Sequence, residues 1–263
     1  MIRNIFRIGT LLMLIITLAS CEKVIKLDLQ ASNRQVVIEG TIANTQNPVV
    51  RISMSKTFEE SNDFVGLTGA TVAIKVNNGN TYTLTSTAPG VYETNAFTGM
   101  PDSSYSLTLT VNGQTFTSTS IMPKPVTLDT ITINEIGFGS NKNKTVYPSY
   151  NDPIGKGNSY RLINYINGKQ EKFIYVQNDE LTDGRTVTRP LINRDSNIKS
   201  GDLVTTQLLC IDQPVYTYWF SLSESSTGEN QSATPANPVS NIEGGALGYF
   251  SAYTVSQKTI VVP

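Results

Sequence analysis

The sequence predicts a mainly β protein: an N-terminal β-sandwich followed by a second β-rich domain with one short helix. Three observations carry this expectation. Short runs rich in β-branched residues recur along the chain. Several of them alternate apolar and polar residues, as a strand with one buried face does. Asn-Gly pairs punctuate the runs, and both residues accept the positive φ that tight hairpins require.

The strand signals begin at Val36-Val37-Ile38 and continue with Val49 to Met54 and Ala70 to Val76. Asn77-Asn78-Gly79-Asn80 reads as a turn, and Tyr82 to Leu84 returns from it. Gly90-Val91-Tyr92-Glu93 opens another strand. Tyr105 to Val111 alternates cleanly, turns at Asn112-Gly113 and comes back through Thr115 to Ile121. Roughly seven or eight short strands in about ninety residues is the spacing of an immunoglobulin-like sandwich, here over residues 34–122.

Met122-Pro123-Lys124-Pro125 reads as a stiff boundary, because two prolines fix φ and cannot donate to a ladder. The second domain, residues 126–263, opens with an alternating run from Thr130 to Ile136. Tyr160 to Ile166 and Lys172 to Val176 flank Asn167-Gly168, a hairpin signal. Leu203 to Ile211 is a further strand. Asp212 suits a helix cap and Pro214 a first turn. Val215, Tyr218, Trp219 and Leu222 then fall at helical spacing, so a short helix is expected with the Trp219 cluster as packing. A polar loop from Ser225 to Pro238 precedes Asn241 to Phe250, and Tyr253 to Val255 and Thr259 to Val262 close the chain.

The first residues are set apart from the fold. Arg3 and Arg7 precede an apolar run from Ile8 to Leu18, too short for a mature span, which takes about 20 residues. Leu18-Ala19-Ser20-Cys21 is a lipobox. Residues 1–20 are therefore expected to be a lipoprotein signal peptide, Cys21 the acylated residue that holds the chain to membrane lipid, and residues 21–33 a tether. Each buried methylene contributes about 0.8 kcal/mol, so several acyl chains together hold firmly.

With Cys21 taken by lipid, Cys210 is the one remaining cysteine, so no internal disulfide is expected. It lies in an apolar strand-like run, where a buried, inert thiol is expected. Removing Arg3 and Arg7 with no acids leaves 18 basic against 21 acidic residues, a formal −3. No basic patch stands out, so no nucleic acid partner is expected.

The chain contains no histidine, which excludes Ser-His-Asp, Cys-His and HExxH chemistry. It also removes the commonest zinc ligand. Gly137-Phe138-Gly139 begins like a nucleotide-binding loop but has Lys142 where the third glycine belongs. Ser53 with Lys56 and Ser196 with Lys199 match S-x-x-K, without the partner motifs of that chemistry. Carboxylates gather at Asp179, Glu180 and Asp183, and at Asp195 and Asp202, and read as solvated turns. Asp195-x-Asn197 starts like a calcium loop but meets Lys199. No catalytic residue, cofactor or metal site is expected, and the chain is expected not to be an enzyme. Asp129-Thr130-Ile131 matches a short O-glycosylation acceptor pattern at Thr130.

Asn237-Pro238-Val239-Ser240-Asn241-Ile242-Glu243-Gly244-Gly245 with Gly248-Tyr249-Phe250 resembles the ending of a lipoprotein family, domain of unknown function 4249. Asn151-Asp152-Pro153 followed by Asn158-Ser159-Tyr160-Arg161 is similar to the same family, which would place an aromatic at Ser159. The order of lipobox, Glu-Lys-Val-Ile, sandwich, Asp-Pro segment and Gly-Gly-Tyr-Phe close also matches. The resemblance implies an outer-membrane lipoprotein, a non-catalytic accessory of a TonB-dependent receptor in nutrient capture. It implies no site residues. Glu22 and Lys23 are few charges for a surface-export signal, and the cell surface is only slightly favoured over the periplasmic face. A glycan-binding surface module, with tyrosines and Trp219 as stacking groups, and a structural envelope-assembly lipoprotein are the alternatives.

Overall fold

The computed structural model describes residues 34–57, 60–61, 63–138, 141–192, 197–227 and 237–263. Residues 1–33, with the expected signal peptide, Cys21 and the expected tether, lie outside the described residues.

Strands β1 (Val36–Ala43), β2 (Val49–Met54) and β5 (Val91–Glu93) form one layer of the first core. β3 (Thr71–Val76), β6 (Ser104–Val111) and β7 (Gln114–Ile121) form the facing layer. β4 (Thr81–Ala88) belongs to both, pairing with β3 through Thr81–Leu84 and with β5 from Thr85 to Ala88, with a register shift between Ser86 and Ala88. The partner changes between Leu84 and Thr85, so one strand serves both layers. The alternation seen in the sequence decides the inner face: Tyr105, Leu107, Leu109 and Val111 are buried, and the threonines between Leu107 and Val111 point outward. They meet Ile38, Ile52, Val72, Ile74 and Phe116 in the first core.

The Asn-Gly turns form as expected. Asn112 and Gly113 have φ of 51° and 76°, and Asn167 and Gly168 have 50° and 78°, the two-residue geometry that matches strand twist.

The second region has β8 (Leu128–Phe138), β9 (Asn141–Asn151) and β13 (Thr186–Thr188) in one sheet. It faces β10 (Ser159–Ile166) and β14 (Leu203–Ile211) across a second core that includes Leu128, Ile131, Val146, Tyr150, Tyr160, Leu208 and Cys210. Of the strand expected at Lys172–Val176, only Tyr175 and Val176 are strand; the pairing with β10 is made by two shorter segments that flank Glu171–Ile174. β11 (Lys169–Gln170) is held by the Asn167-Gly168 turn, and β12 (Tyr175–Asn178) re-pairs with β10 further along, at Ser159–Leu162. Local pattern reads strand character but not the edge to which a segment returns.

The expected helix, α1 (Gln213–Thr227), begins where Asp212 caps it. Val215 N donates to Asp212 Oδ1 at 3.2 Å. The other carboxylate oxygen accepts from Ser120 Oγ and Ile121 N, both at 2.8 Å, so one cap also ties α1 to β7. α1 covers the opposite side of the β10–β14 sheet through Val215, Tyr216 and Trp219, against Leu209 and Ile211.

The last strand, β15 (Leu247–Val261), crosses the boundary expected at residues 122–126. Its first half runs parallel to β1, from Val37↔Leu247 to Ala43↔Tyr253, and places Phe250 and Ala252 in the first core. Its second half is antiparallel to β14, from Cys210↔Thr254 to Leu203↔Val261. One sheet therefore runs β11-β10-β14-β15-β1-β2-β5-β4-β3-β6-β7, and residues Arg34–Pro263 form one contact unit. A proline-rich segment marks a change of core along the chain; it carries no information about a strand that returns more than 120 residues later.

Gly248 makes the junction possible. It has φ 96°, and a Cβ there would lie 2.0 Å from Ile38 O. Glycine alone allows β15 to lie this close to β1.

Candidate functional site

Two places in the second region carry more chemistry than packing requires. The first is a group of three aspartates on two neighbouring loops. β9 ends at Asn151, and the chain runs through Asp152–Asn158 into β10. Between β12 and β13 a second loop turns at Asp179, whose carbonyl accepts from Thr182 N and Asp183 N, both at 3.0 Å. Asp179 N donates to Asn158 O at 3.1 Å, which stitches the loops together.

Each carboxylate is fixed by a donor. The Tyr160 hydroxyl donates a short hydrogen bond to Asp152 Oδ1. Asn158 N donates to Asp179 Oδ2 at 2.9 Å, and Gly155 N donates to Asp183 Oδ1 at 2.7 Å. One carboxylate oxygen from each aspartate lies within 4.8 Å of the others. Asp152 and Asp179 are each only 3% exposed. Asp152 Oδ2 is buried and has no hydrogen-bond partner. No lysine or arginine among the described residues makes an ion pair with any of the three. Burial pushes the Asp152 carboxyl above its ordinary range; the Tyr160 hydroxyl pulls it down, and Asp179 and Asp183 push it further up. Thr182 also lowers it, as the last of these influences.

The solvated-turn expectation for Asp179 and Asp183 is thus corrected: Asp179 is buried and Asp183 half-buried, and Glu180 alone of that trio is exposed. Asp202 stands apart, accepting from Asn167 Nδ2 at 2.9 Å and Lys199 N at 2.7 Å, which hold its pKa below the ordinary value. Asp195 lies outside the described residues. Asp152 was missed because Asp-Pro reads as a turn starter. The remaining signal in the sequence is the pair of glycines that follows it, Gly155 and Gly157.

The second place is the helix-covered face of the β10–β14 sheet. The Arg161 guanidinium lies 3.3 Å from the centroid of the Trp219 ring. Trp219 meets Tyr249 and Tyr218 edge-on, at 5.0 and 5.3 Å between centroids. Burial lowers the Arg161 pKa, and Tyr249, Tyr253, Tyr165 and Tyr218 around it oppose that shift. An arginine stacked on an aromatic face gains about 2 kcal/mol when desolvated. Trp219 therefore packs on protein groups, and none of the twelve tyrosines is exposed, nor is Trp219.

Other sequence candidates separate. Lys56 Nζ donates to the carbonyls of Ser61, at 2.7 Å, and of Asp63, and is thereby drawn into its own loop rather than to Ser53. Ser196 is outside the described residues. Thr130 is exposed on β8, beside a register shift. Cys210 is buried and accepts from Val126 N at 3.3 Å; burial raises its thiol pKa, which disfavours the reactive thiolate.

A family model described as Domain of unknown function (DUF4249) matches residues 22–259. The chain belongs to this family. The DUF4249 match begins at the residue after Cys21 and takes in both cores, α1, all three aspartates and the Arg161–Trp219 stack. No curated protein matches this DUF4249 chain.

Proposed function

We propose that this chain is an outer-membrane lipoprotein, held by acyl chains on Cys21, that serves as a non-catalytic accessory to a TonB-dependent receptor in nutrient capture. The observation that carries the reading is the lipobox ending at Cys21, with the family match starting at Glu22 and running through a mainly β body. No helix among the described residues is long and apolar enough to cross a membrane. Acylation supplies a tether strong enough to keep such a body at a surface. The cell surface is the favoured side. A glycan-stacking role has less support, because the Trp219 cluster packs on Arg161 and on itself.

The test is a pull-down of the tagged, full-length chain from its own outer membrane in mild detergent, read by mass spectrometry, beside labelling with a palmitate analogue. The expected result is a TonB-dependent receptor in the eluate and label that disappears in Cys21→Ala. An abundant, labelled chain that repeatedly elutes without such a receptor would overturn the accessory role. An unlabelled chain would overturn the anchor.

A further inference from the structure

We propose that Asp152, Asp179 and Asp183 form a calcium-binding site. This goes beyond the accessory reading and does not depend on it.

Three formal negative charges converge within 4.8 Å, and no cationic side chain among the described residues pairs with them. The repulsion is not relieved by solvent at Asp152, which is 3% exposed and leaves Oδ2 without a donor. Buried carboxylates persist when they are paired or coordinate a metal. Here Tyr160 satisfies Oδ1, and Oδ2 is the oxygen left for a ligand. The backbone donors Asn158 N and Gly155 N fix the other two carboxylates, so the oxygens are held in place rather than swept by side-chain rotation.

The donor set selects the ion. All three ligands are hard oxygens. The chain has no histidine, and Cys210 is not in the group, so zinc is disfavoured. Calcium binds oxygens at about 2.3–2.6 Å, which puts ligands on opposite sides of the ion about 5 Å apart. The observed spread fits that span. Magnesium needs about 2.1 Å, near-octahedral order and several retained waters, a poor match to three carboxylates, two fixed by backbone donors and one by the Tyr160 hydroxyl. A dication here would offset the three charges. It would also staple the β9–β10 connection to the β12–β13 loop.

The experiment uses the full-length lipidated chain in non-ionic detergent, stripped with a chelator. Thermal melting is followed against CaCl2 and MgCl2, and terbium luminescence is excited through tyrosine, since the Tyr160 phenol touches Asp152. The expected half-saturation by calcium is on the order of 0.1–1 mM, the range of extracellular calcium modules. Tm should rise by about 5 °C or more at a hundredfold excess over the dissociation constant. Magnesium should be at least about tenfold weaker, and calcium should displace the terbium signal. Asp183→Asn, at the least buried of the three, should weaken calcium at least about tenfold while melting normally in chelator. No calcium-dependent shift at about 10 mM, an equal response to magnesium, or an unchanged response in Asp183→Asn overturns the proposal. Should Asp183→Asn fail to fold, the calcium–magnesium comparison on the unaltered chain decides it.

Discussion

The two cores are built from the same kind of strand but bury different chemistry. In the first, packed between β1–β2 and β3–β6–β7, the buried polar side chains among the described residues are serines: Ser103, Ser118, Ser120 and, on the half of β15 beside β1, Ser251. In the second region Asp152, Asp179, Asn164, Thr206 and Thr145 are buried. A pair of tyrosines makes the contrast concrete. Tyr105 and Tyr160 are both about fully buried, at 0% and 1% exposure, and each uses its hydroxyl to hold a loop. Tyr105 accepts from Met100 N at 2.6 Å, a neutral backbone contact. Tyr160 donates to the Asp152 carboxylate. The first core is arranged for packing, whereas the second accepts the cost of desolvated charge. Because charge burial lowers stability unless a partner offsets it, the second region is where a ligand has something to act on.

The junction between the regions should be the most sensitive point. Gly248→Val would drive a Cβ into Ile38 O, where the available gap is 2.0 Å, and would force a β-branched residue to φ 96°. Strain of that kind costs about 1–3 kcal/mol and the steric clash adds a similar amount, so a loss of about 3 kcal/mol or more is expected. Gly79→Ala is the control, since its nearest neighbour would lie 3.4 Å away, at an ordinary contact distance. It should change stability by less than about 1 kcal/mol. Urea unfolding read by circular dichroism checks both. If Gly248→Val unfolds only the second region, leaving a cooperative first core, β15 is not the shared strand described above.

The tyrosine pair sharpens the comparison. Tyr105→Phe removes a neutral hydrogen bond, and a loss of about 1 kcal/mol is expected. Tyr160→Phe strips the donor from a buried carboxylate already lacking a partner on Oδ2, and about 2–3 kcal/mol is expected for a charged group. Both are measured in chelator by urea unfolding. Equal losses would mean that Asp152 is protonated or hydrated, and that the second region does not bury charge in the way described.

Much of the first core was legible because its information is local. The alternation of Tyr105 to Val111 and the turn at Asn112-Gly113 state inward faces and a hairpin within a few residues, as Asn167-Gly168 does for a hairpin in the second region. Asp212 and Pro214 likewise announced α1, although Ser120 as a second partner of the Asp212 cap was invisible. What escaped was non-local. β15 joins β1 across more than 200 residues, and no periodicity encodes that pairing. The aspartate group escaped for the same reason. Asp179 and Asp183 are neighbours in sequence, but Asp152, the residue that completes the cluster, lies on a different loop. Residue patterns report which face a side chain occupies; they do not report which loops meet.

The smallest effect concerns Cys210, on β14 in the core of the second region. Burial raises its thiol pKa, Thr254 and Val126 N partly oppose this, and Asp152 adds to it. In full-length Cys21→Ala, no thiol should react promptly with a disulfide reagent at pH 8, and one should react on denaturation. Cys210→Ala should cost only about 1 kcal/mol at pH 7, since it removes one buried sulfur. The pH dependence gives the sign. A thiol whose folded pKa is raised contributes its full stability below the ordinary value of 9.0, and loses it as pH rises through the folded pKa. The difference between the unsubstituted thiol and Cys210→Ala, compared in the Cys21→Ala background, should therefore shrink as pH climbs above 9, read as the urea midpoint at each pH. A difference that grows with pH would mean that the thiolate is stabilised in place, and the second region would then hold a reactive cysteine rather than a buried one.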